Sequence, residues 1–431
     1  MNEAMNTPIT EPRSSDLVSA FAKVSDNYRG AEVDFYDICR QFREQSPVMQ
    51  GNFAASLGVP NNAGLDASFP TVSLFKYKEV MAVLRDAGNF TSGFISEGLG
   101  SFFDGLIIIA MDGEEHKRTR ALLQPVFTPE TANRWRIKLD GVMRNESLLP
   151  LVPDKKADLM DFGLHFPIRA IYAIMGFPDD QPEQIKQYAA WALAILAGPQ
   201  VGLDKQAAAR QAAMTAIKAL YDAVYKVVVQ RRAANADGDD LISRLLQSSL
   251  DGRKLDDHEI TTFVRSLLPA AGETTTRTFS SMMTLLLQRP ALLARVRNDR
   301  TLVAKVIDET VRYEPVATFK VRQAAKDLEI GGVSIPSGSM VQCITASASR
   351  DPDVFDNADT FDIDRKPKPS FGFGFGPHMC IGQFVAKMEL SVALNAILDL
   401  FPNLRLDPDY APPEIKGIML RGASSVRVVW D

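Results

Sequence analysis

The segment richest in chemistry is 371–390, FGFGFGPHMCIGQFVAKMEL. Glycines alternate with phenylalanines there, and Pro377, His378, Met379 and Cys380 then lead into a stretch with Ile381, Val385, Met388 and Val392 at helical spacing. That spacing predicts an amphipathic helix. Cys380 falls at its N-terminus, where unpaired N–H groups and the helix dipole favour a thiolate. Gly374, Gly376 and Gly382 remove side chains around the sulfur, so the backbone can approach a large flat partner. A small buried hydrophobe is the plain alternative for a lone cysteine. A dinucleotide loop is another, since Gly372, Gly374 and Gly376 give G-x-G-x-G. It fits poorly: the third glycine is misplaced, Pro377 follows at once, and no parallel βαβ unit precedes it.

Three more segments carry candidate groups. His116 and Arg120 are four residues apart, so on a helix both can point at one anion; an exposed basic turn is the alternative. Glu309 and Arg312 form an i,i+3 pair just before a helix-stopping Glu314-Pro315, a spacing common among solvated contacts. Residues 265–281, RSLLPAAGETTTRTFSS, interrupt a long helical pattern. Pro269 removes a backbone hydrogen bond and the threonine hydroxyls can back-bond to carbonyls, so a kink or a helix end is expected there.

The elements that must position these groups are mostly helices. Helical signals dominate from about Thr131 to Leu287, and Met214, Ile217, Tyr221, Val224 and Val228 predict one apolar face. Strand signals are confined to 328–348, with Gly-Gly and Pro-Ser-Gly turns, and to 424–430. The chain length allows two or three domains, but no repeat or Ser/Gly/Pro-rich linker divides it. The expected fold is mainly α with small β-sheets (α+β). Residues 1–15 are expected to form a flexible N-terminal tail and residues 16–431 a single domain.

Composition narrows the setting. The 48 Lys and Arg against 53 Asp and Glu leave a net charge of −5, which argues against nucleic acid or an anionic membrane as the main partner. Three scattered cysteines, Cys39, Cys343 and Cys380, exclude a disulfide framework, a four-thiolate zinc site and a protein-held iron–sulfur cluster. They fit a reducing compartment. The N-terminus has no basic start and no apolar run, so it does not read as a secretory signal. The apolar stretch 188–201 is too short to span a bilayer. A soluble, cytoplasmic protein is expected.

Phe373-Gly374-Phe375-Gly376-Pro377-His378-Met379-Cys380-Ile381-Gly382 resembles the F-G-x-G-x-H-x-C-x-G heme-binding signature of the cytochrome P-450 superfamily, particularly its soluble bacterial members. The resemblance covers roughly residues 30–430 in the expected order, including SRDP at 349–352 and MGFP at 175–178. It implies a triangular fold with heme between a long central helix and the cysteine-loop helix. Cys380 is then the axial thiolate and metal ligand, with Phe373, Gly374 and Gly382 shaping its loop. His116, Arg120, Arg322 and His378 attend the heme propionates. Ala270-Ala271-Gly272-Glu273-Thr274-Thr275 resembles the family's [AG]-G-x-[DE]-T-[TS] motif over the distal heme face. Ala270 then adjoins the cofactor, and Glu273 and Thr274 form the catalytic proton relay. Glu309, Arg312 and Arg365 would brace the heme loop. Ala271 in place of the usual glycine, Pro269 just before the motif, and Lys387 where arginine is commoner are departures from the pattern.

The implied activity is a monooxygenase that inserts one oxygen atom of O2 into a hydrophobic small molecule, with hydroxylation as the expected outcome. Heme b (iron protoporphyrin IX) is the implied cofactor, and thiolate ligation favours O–O cleavage. NAD(P)H would act only indirectly, through a ferredoxin or flavodoxin donor and its reductase. Lys117, Arg118, Lys366, Lys368 and Lys387 are candidate donor contacts. A heme-thiolate peroxygenase is one alternative and a non-catalytic heme sensor is another. The expected substrate pocket combines Phe94 and Ile95 in a lid-like segment, 93–110, with Val316, Phe319, Ile418 and Met419. No buried cation is evident from sequence, so a neutral substrate is expected.

Overall fold

A computed structural model describes residues 21–22, 24–26, 28–59, 69–96, 107–177, 182–196, 203–235 and 237–431. Helices dominate, with a five-stranded sheet, a three-stranded sheet and two hairpins at the edges. The centre is the helix Asp257–Leu287, which packs against the helices Leu159–Met175 and Leu203–Ala233.

The elements that build the site come in five helices and five strands. The helices are α1 (Tyr77–Arg85), α2 (Gly113–Leu123), α3 (Asp257–Leu287), α4 (Val303–Tyr313) and α5 (Gln383–Leu400). The strands are β1 (Val48–Gln50), β2 (Thr71–Leu74), β3 (Phe90–Thr91), β4 (Lys320–Ala324) and β5 (Met340–Cys343). They pair in the order β1-β2-β5-β4-β3, with β2 and β5 parallel and the other neighbours antiparallel.

α3 departs from the expected interruption. Its N-terminus is fixed by a capping box between Asp256 and Glu259, and it runs for 31 residues straight through Pro269. Nearly every side chain along it is buried, and burial of that surface outweighs the local penalties that sequence alone registers. The threonine hydroxyls are absorbed rather than disruptive. Thr278 Oγ1 donates to the Thr274 carbonyl at 2.8 Å, and Thr276 Oγ1 crosses to the Gly163 carbonyl at 2.7 Å.

The Leu203–Ala233 helix forms as expected, but its buried stripe runs through Ile217, Leu220, Val224 and Val228. Met214 is exposed, because Leu220 rather than Tyr221 seats in the core. The strand signal after residue 328 also needs correction at its end. Leu328–Ile330 and Val333–Ile335 form a hairpin around Gly331 and Gly332, both at positive φ. β5 follows, but Thr345–Ala348 is a helical turn rather than strand. Its Ala348 N–H donates to the Ile344 carbonyl at 3.0 Å once the last ladder bond, from Ile344 N–H to Leu74, has been made.

α5 starts three residues after the cysteine and buries Val385, Met388 and Val392 against α4 and the Pro129–Val142 helix. Among the described residues, no helix is long and apolar enough to cross a membrane.

Candidate active site

The cysteine loop is a tight backbone construction. The Cys380 N–H donates to the Phe373 carbonyl at 2.7 Å, and the Gly374 N–H donates to the Phe371 carbonyl at 2.8 Å. Gly374 and Gly376 sit at φ +74° and +71°, a region that favours glycine. At Gly376 space also demands it, since a Cβ would lie 2.3 Å from the Leu84 carbonyl oxygen at the end of α1. Cys39 and Cys343 are buried, whereas the Cys380 side chain is exposed within this cradle. Its pKa is raised by the surrounding protein; the Gly382 N–H, which bonds the sulfur, and the charges of Lys320 and Arg120 pull it back down.

α3 offers one incompletely covered stripe. Between Ile260 and Leu287 every residue is buried except Ser266, Leu267, Ala270, Ala271 and Thr274, which recur at helical spacing on one face. Thr274 Oγ1 donates to the Ala270 carbonyl at 2.8 Å. Glu273 is off that stripe. It is buried beside Arg277, whose Nε donates to Oε1 at 2.7 Å, while Oε2 has no partner. Burial raises the Glu273 pKa against the pull of Arg277. Sequence reasoning paired Glu273 with Thr274; in the fold they occupy different faces.

A donor-rich cluster lies beside the loop. The rings of His116 and His378 are 4.1 Å apart at an interplanar angle of 33°, and each Nε2 is buried without a hydrogen bond. His378 Nε2 is 3.6 Å from Asp112 Oδ1, whose carboxylate accepts the backbone N–H groups of Ser92 and Gly93. Arg120 Nη2 donates to the Met379 carbonyl at 2.7 Å, tying α2 to the residue before the cysteine. Arg322 is buried on β4 and its Nη1 donates to the Val321 carbonyl at 2.7 Å. Burial first, then Arg322, His116 and Arg120, push His378 down to about 3; burial and then Arg120 lower His116. Both imidazoles are neutral at pH 7, with an excess of fixed positive charge around them.

Glu309, Arg312 and Arg365 come together. Arg312 donates twice to Glu309, at 2.8 Å and 2.7 Å, and Arg365 Nε reaches the same carboxylate at 3.5 Å. The guanidinium of Arg312 also holds the carbonyls of Ser349 and Ala358 at 2.9 Å. A second buried network escaped the sequence reading. Glu314 accepts from Arg350 at 2.8 Å, from Arg421 at 2.9 Å and from the Tyr36 hydroxyl at 3.1 Å. SRDP was the available signal, since it contains Arg350.

The expected pocket requires correction. Phe319 and Ile418 are buried in the aromatic cluster around Phe35, Phe53 and Phe75. An extended chain alternates its faces, so Phe319 turns away from the side that Lys320 and Arg322 share. Val316, Met419, Phe94 and Ile95 are half-buried. Of the lid-like segment, residues 97–106 lie outside the described residues. Lys320, absent from the sequence reading, is a half-buried cation that reading did not find. Among the candidate donor contacts, Lys387 pairs with Asp308 at 2.7 Å, Lys117 with Glu114 at 3.4 Å, and Lys368 donates to the Val354 carbonyl; Arg118 and Lys366 are exposed.

Comparison with known proteins identifies the class. The family model described as Cytochrome P450 matches residues 200–423. The "Mycinamicin IV hydroxylase/epoxidase" of Micromonospora griseorubida is 30% identical over 373 residues, covering 82% of this chain and 88% of that protein. The "Biotin biosynthesis cytochrome P450" of Bacillus subtilis is 28% identical over 397 residues, covering 90% of this chain and 94% of that protein. The crystal structure of CYP109E1 from Bacillus megaterium in complex with testosterone superposes with a TM-score of 0.79 at 26% identity, covering 93% of this chain and all of that one. The chain belongs to the cytochrome P450 family. It is a heme-thiolate monooxygenase with the mainly helical P450 fold, using heme b and O2, with NAD(P)H electrons arriving through redox partners.

The residues present fit that cofactor. Buried carboxylates need hydrogen-bonded cationic company, and the orphaned Nε2 atoms of His116 and His378 beside Arg120 and Arg322 offer it. The cradle at Gly382, where an added Cβ would meet nothing within 4 Å, leaves room for a flat ring over the sulfur.

Proposed function

We propose that Cys380 holds the heme iron and that the uncovered stripe of α3 is the face on which substrate and dioxygen meet. The observation carrying this reading is the exposure of the Cys380 side chain in a fold that buries its other cysteines, together with the stripe at Ala270 and Thr274. Heme, when bound, supplies the oxygen chemistry. Phe373, Gly374 and Gly382 keep the loop thin enough for close approach. Arg120 and Arg322 neutralise the propionates, and His116 and His378 donate hydrogen bonds to them. Thr274 holds a hydroxyl on the open stripe, where it passes protons toward the reacting oxygen. Glu273 replenishes that hydroxyl by leaving Arg277 and turning toward the stripe. Glu309, Arg312 and Arg365 brace the loop.

The reaction is hydroxylation of a largely apolar small molecule, with ferredoxin or flavodoxin as the donor. Val316, Met419, Phe94 and Ile95 line the approach. The named activity of the Micromonospora relative, hydroxylation and epoxidation, agrees with this class of outcome. Arg118 and Lys366, exposed and unengaged in ion pairs with described residues, are the better donor contacts of the five basic candidates. We take 16–431 as one domain acting in the cytoplasm; the expected tail, 1–15, lies outside the described residues.

The reduced protein under carbon monoxide should show the long-wavelength Soret band of thiolate-ligated heme, and Cys380→Ser should abolish it. A wild-type spectrum without that band would sink the reading. Turnover with peroxide alone equal to turnover with reductant and O2 would favour a peroxygenase instead.

A further inference from the structure

Lys320 opens β4, two residues before Arg322. Residues two apart on a strand share a face, so these two cations stand together, opposite Phe319 and Val321, which pack into the N-terminal aromatic cluster. Register says the same. Lys320 faces Cys343 and Arg322 faces Val341 across the antiparallel pair, and both partners belong to the cluster that contains Leu84, Phe371 and Phe375 of the cysteine-loop side. The Lys320 ammonium and the Cys380 sulfur each feel the other's charge.

Lys320 differs from the donors already assigned. Arg120 and Arg322 act on His378 and His116; Lys320 is not among the charges that act on either ring. It makes no hydrogen bond or ion pair with any described residue. Its side chain is only partly covered although the group lies deep in the fold. Burial lowers its pKa from 10.5 to about 8, so it is still mainly cationic at pH 7. An interior ammonium without a partner is costly unless an anion arrives to meet it.

We propose that Lys320 recognises a carboxylate on an otherwise apolar substrate, anchoring one end of the molecule at the start of β4. This rests on the reading of Cys380 and the α3 stripe as the active site. The half-buried Val316, four residues before the anchor, supplies apolar wall beside it, while Met419, whose carbonyl accepts the Thr318 N–H, packs against the N-terminal aromatic cluster. A charged head and an apolar body are thereby separated along one wall, which selects an amphiphile over a neutral compound.

The test uses the heme-loaded protein and a homologous series of straight-chain carboxylic acids, each matched with its methyl ester, with affinity read by calorimetry. Wild-type protein should bind the preferred acid about 10- to 100-fold more tightly than its ester, the range expected for a charge-assisted hydrogen bond. Lys320→Met should abolish that preference and leave ester affinity unchanged, and Lys320→Arg should retain most of it. Equal affinities in wild type, no acid binding at any chain length, or a preference that survives in Lys320→Met would each overturn the proposal. So would a folded Lys320→Met that loses heme, since the cation would then serve a cofactor carboxylate. A wild-type protein lacking the thiolate carbon monoxide band would instead overturn the reading of Cys380, and the calorimetric comparison would still decide Lys320.

Discussion

Arg277 and Glu273 face each other one turn apart on the central helix, with side chains 4% and 2% exposed, and the guanidinium continues outward to Ser25 Oγ at 2.8 Å and the ring of Phe21. The pair therefore joins the middle of the helix to the N-terminal segment. Removing one member strands the other as a buried charge, a loss of about 3–5 kcal/mol. Arg277→Met should cost that much in urea unfolding. The double variant Glu273→Gln/Arg277→Met should cost clearly less than the sum of the two single changes, because no stranded charge remains.

Two loop glycines should separate folding from cofactor retention. At Gly376→Ala the new methyl would meet the Leu84 carbonyl in a left-handed backbone, so protein stability should drop by about 1–3 kcal/mol or more and the thiolate band should vanish. Gly382→Ala meets no protein atom and has no positive φ. Its unfolding free energy without heme should stay within about 0.5 kcal/mol of wild type, while heme retention, measured by dilution into apomyoglobin, should fall.

Glu389, on the helix after the cysteine, gives a pH prediction. It is buried, its Oε1 has no partner, and burial pushes its pKa from 4.5 up to about 8. Between those values the folded state holds a proton that the unfolded state has lost. Stability therefore falls as pH rises from about 4.5 through 8, by up to about 1.4 kcal/mol per pH unit from this group, and levels off above. Glu389→Gln should flatten that part of the profile and be more stable than wild type at pH 8.5. Parallel curves for the two proteins would contradict the assignment.

The arginines around Glu309 should not be equivalent. Arg312 is bidentate on the carboxylate and buried; Arg365 reaches the carboxylate only at 3.5 Å and gives its other nitrogens to the carbonyls of Asp356, Asn357 and Thr360. Arg312→Lys breaks the fork and should cost about 2–4 kcal/mol. Arg365→Lys, which loses carbonyl bonds but only a long contact to Glu309, should cost less than Arg312→Lys. Chemical denaturation of both variants orders them.

The cysteine loop was legible from sequence because its constraint is local. Glycine and phenylalanine alternation, a proline and a following apolar stripe all act within a few residues of Cys380. Glu309 and Arg312 were legible for the same reason. Pro269 misled, since what carries α3 through it is packing from the Leu159–Met175 and Leu203–Ala233 helices, which no local pattern reports. Phe319 and Lys320 show a finer limit. Adjacent residues on an extended chain point oppositely, so assigning the wall to Phe319 hid Lys320, and only the register against β5 shows which face looks toward the cysteine. Glu314 with Arg350 and Arg421 joins three distant segments, a relation that single-chain spacing does not encode.

The parallel pairing of β2 with β5 has a consequence for biogenesis. Ser73 and Gln342, joined across these strands, are 269 residues apart in the chain. During synthesis β2 leaves the ribosome on the order of tens of seconds before its partner exists. Over that interval its edge has no native neighbour on one side, an invitation to pair with another nascent chain. Because Gly376 closes against Leu84 at the end of α1, next in sequence to β2, the cysteine loop can be completed only after that long wait ends. Slowing translation late in the message should therefore raise aggregation without changing a single residue of the site.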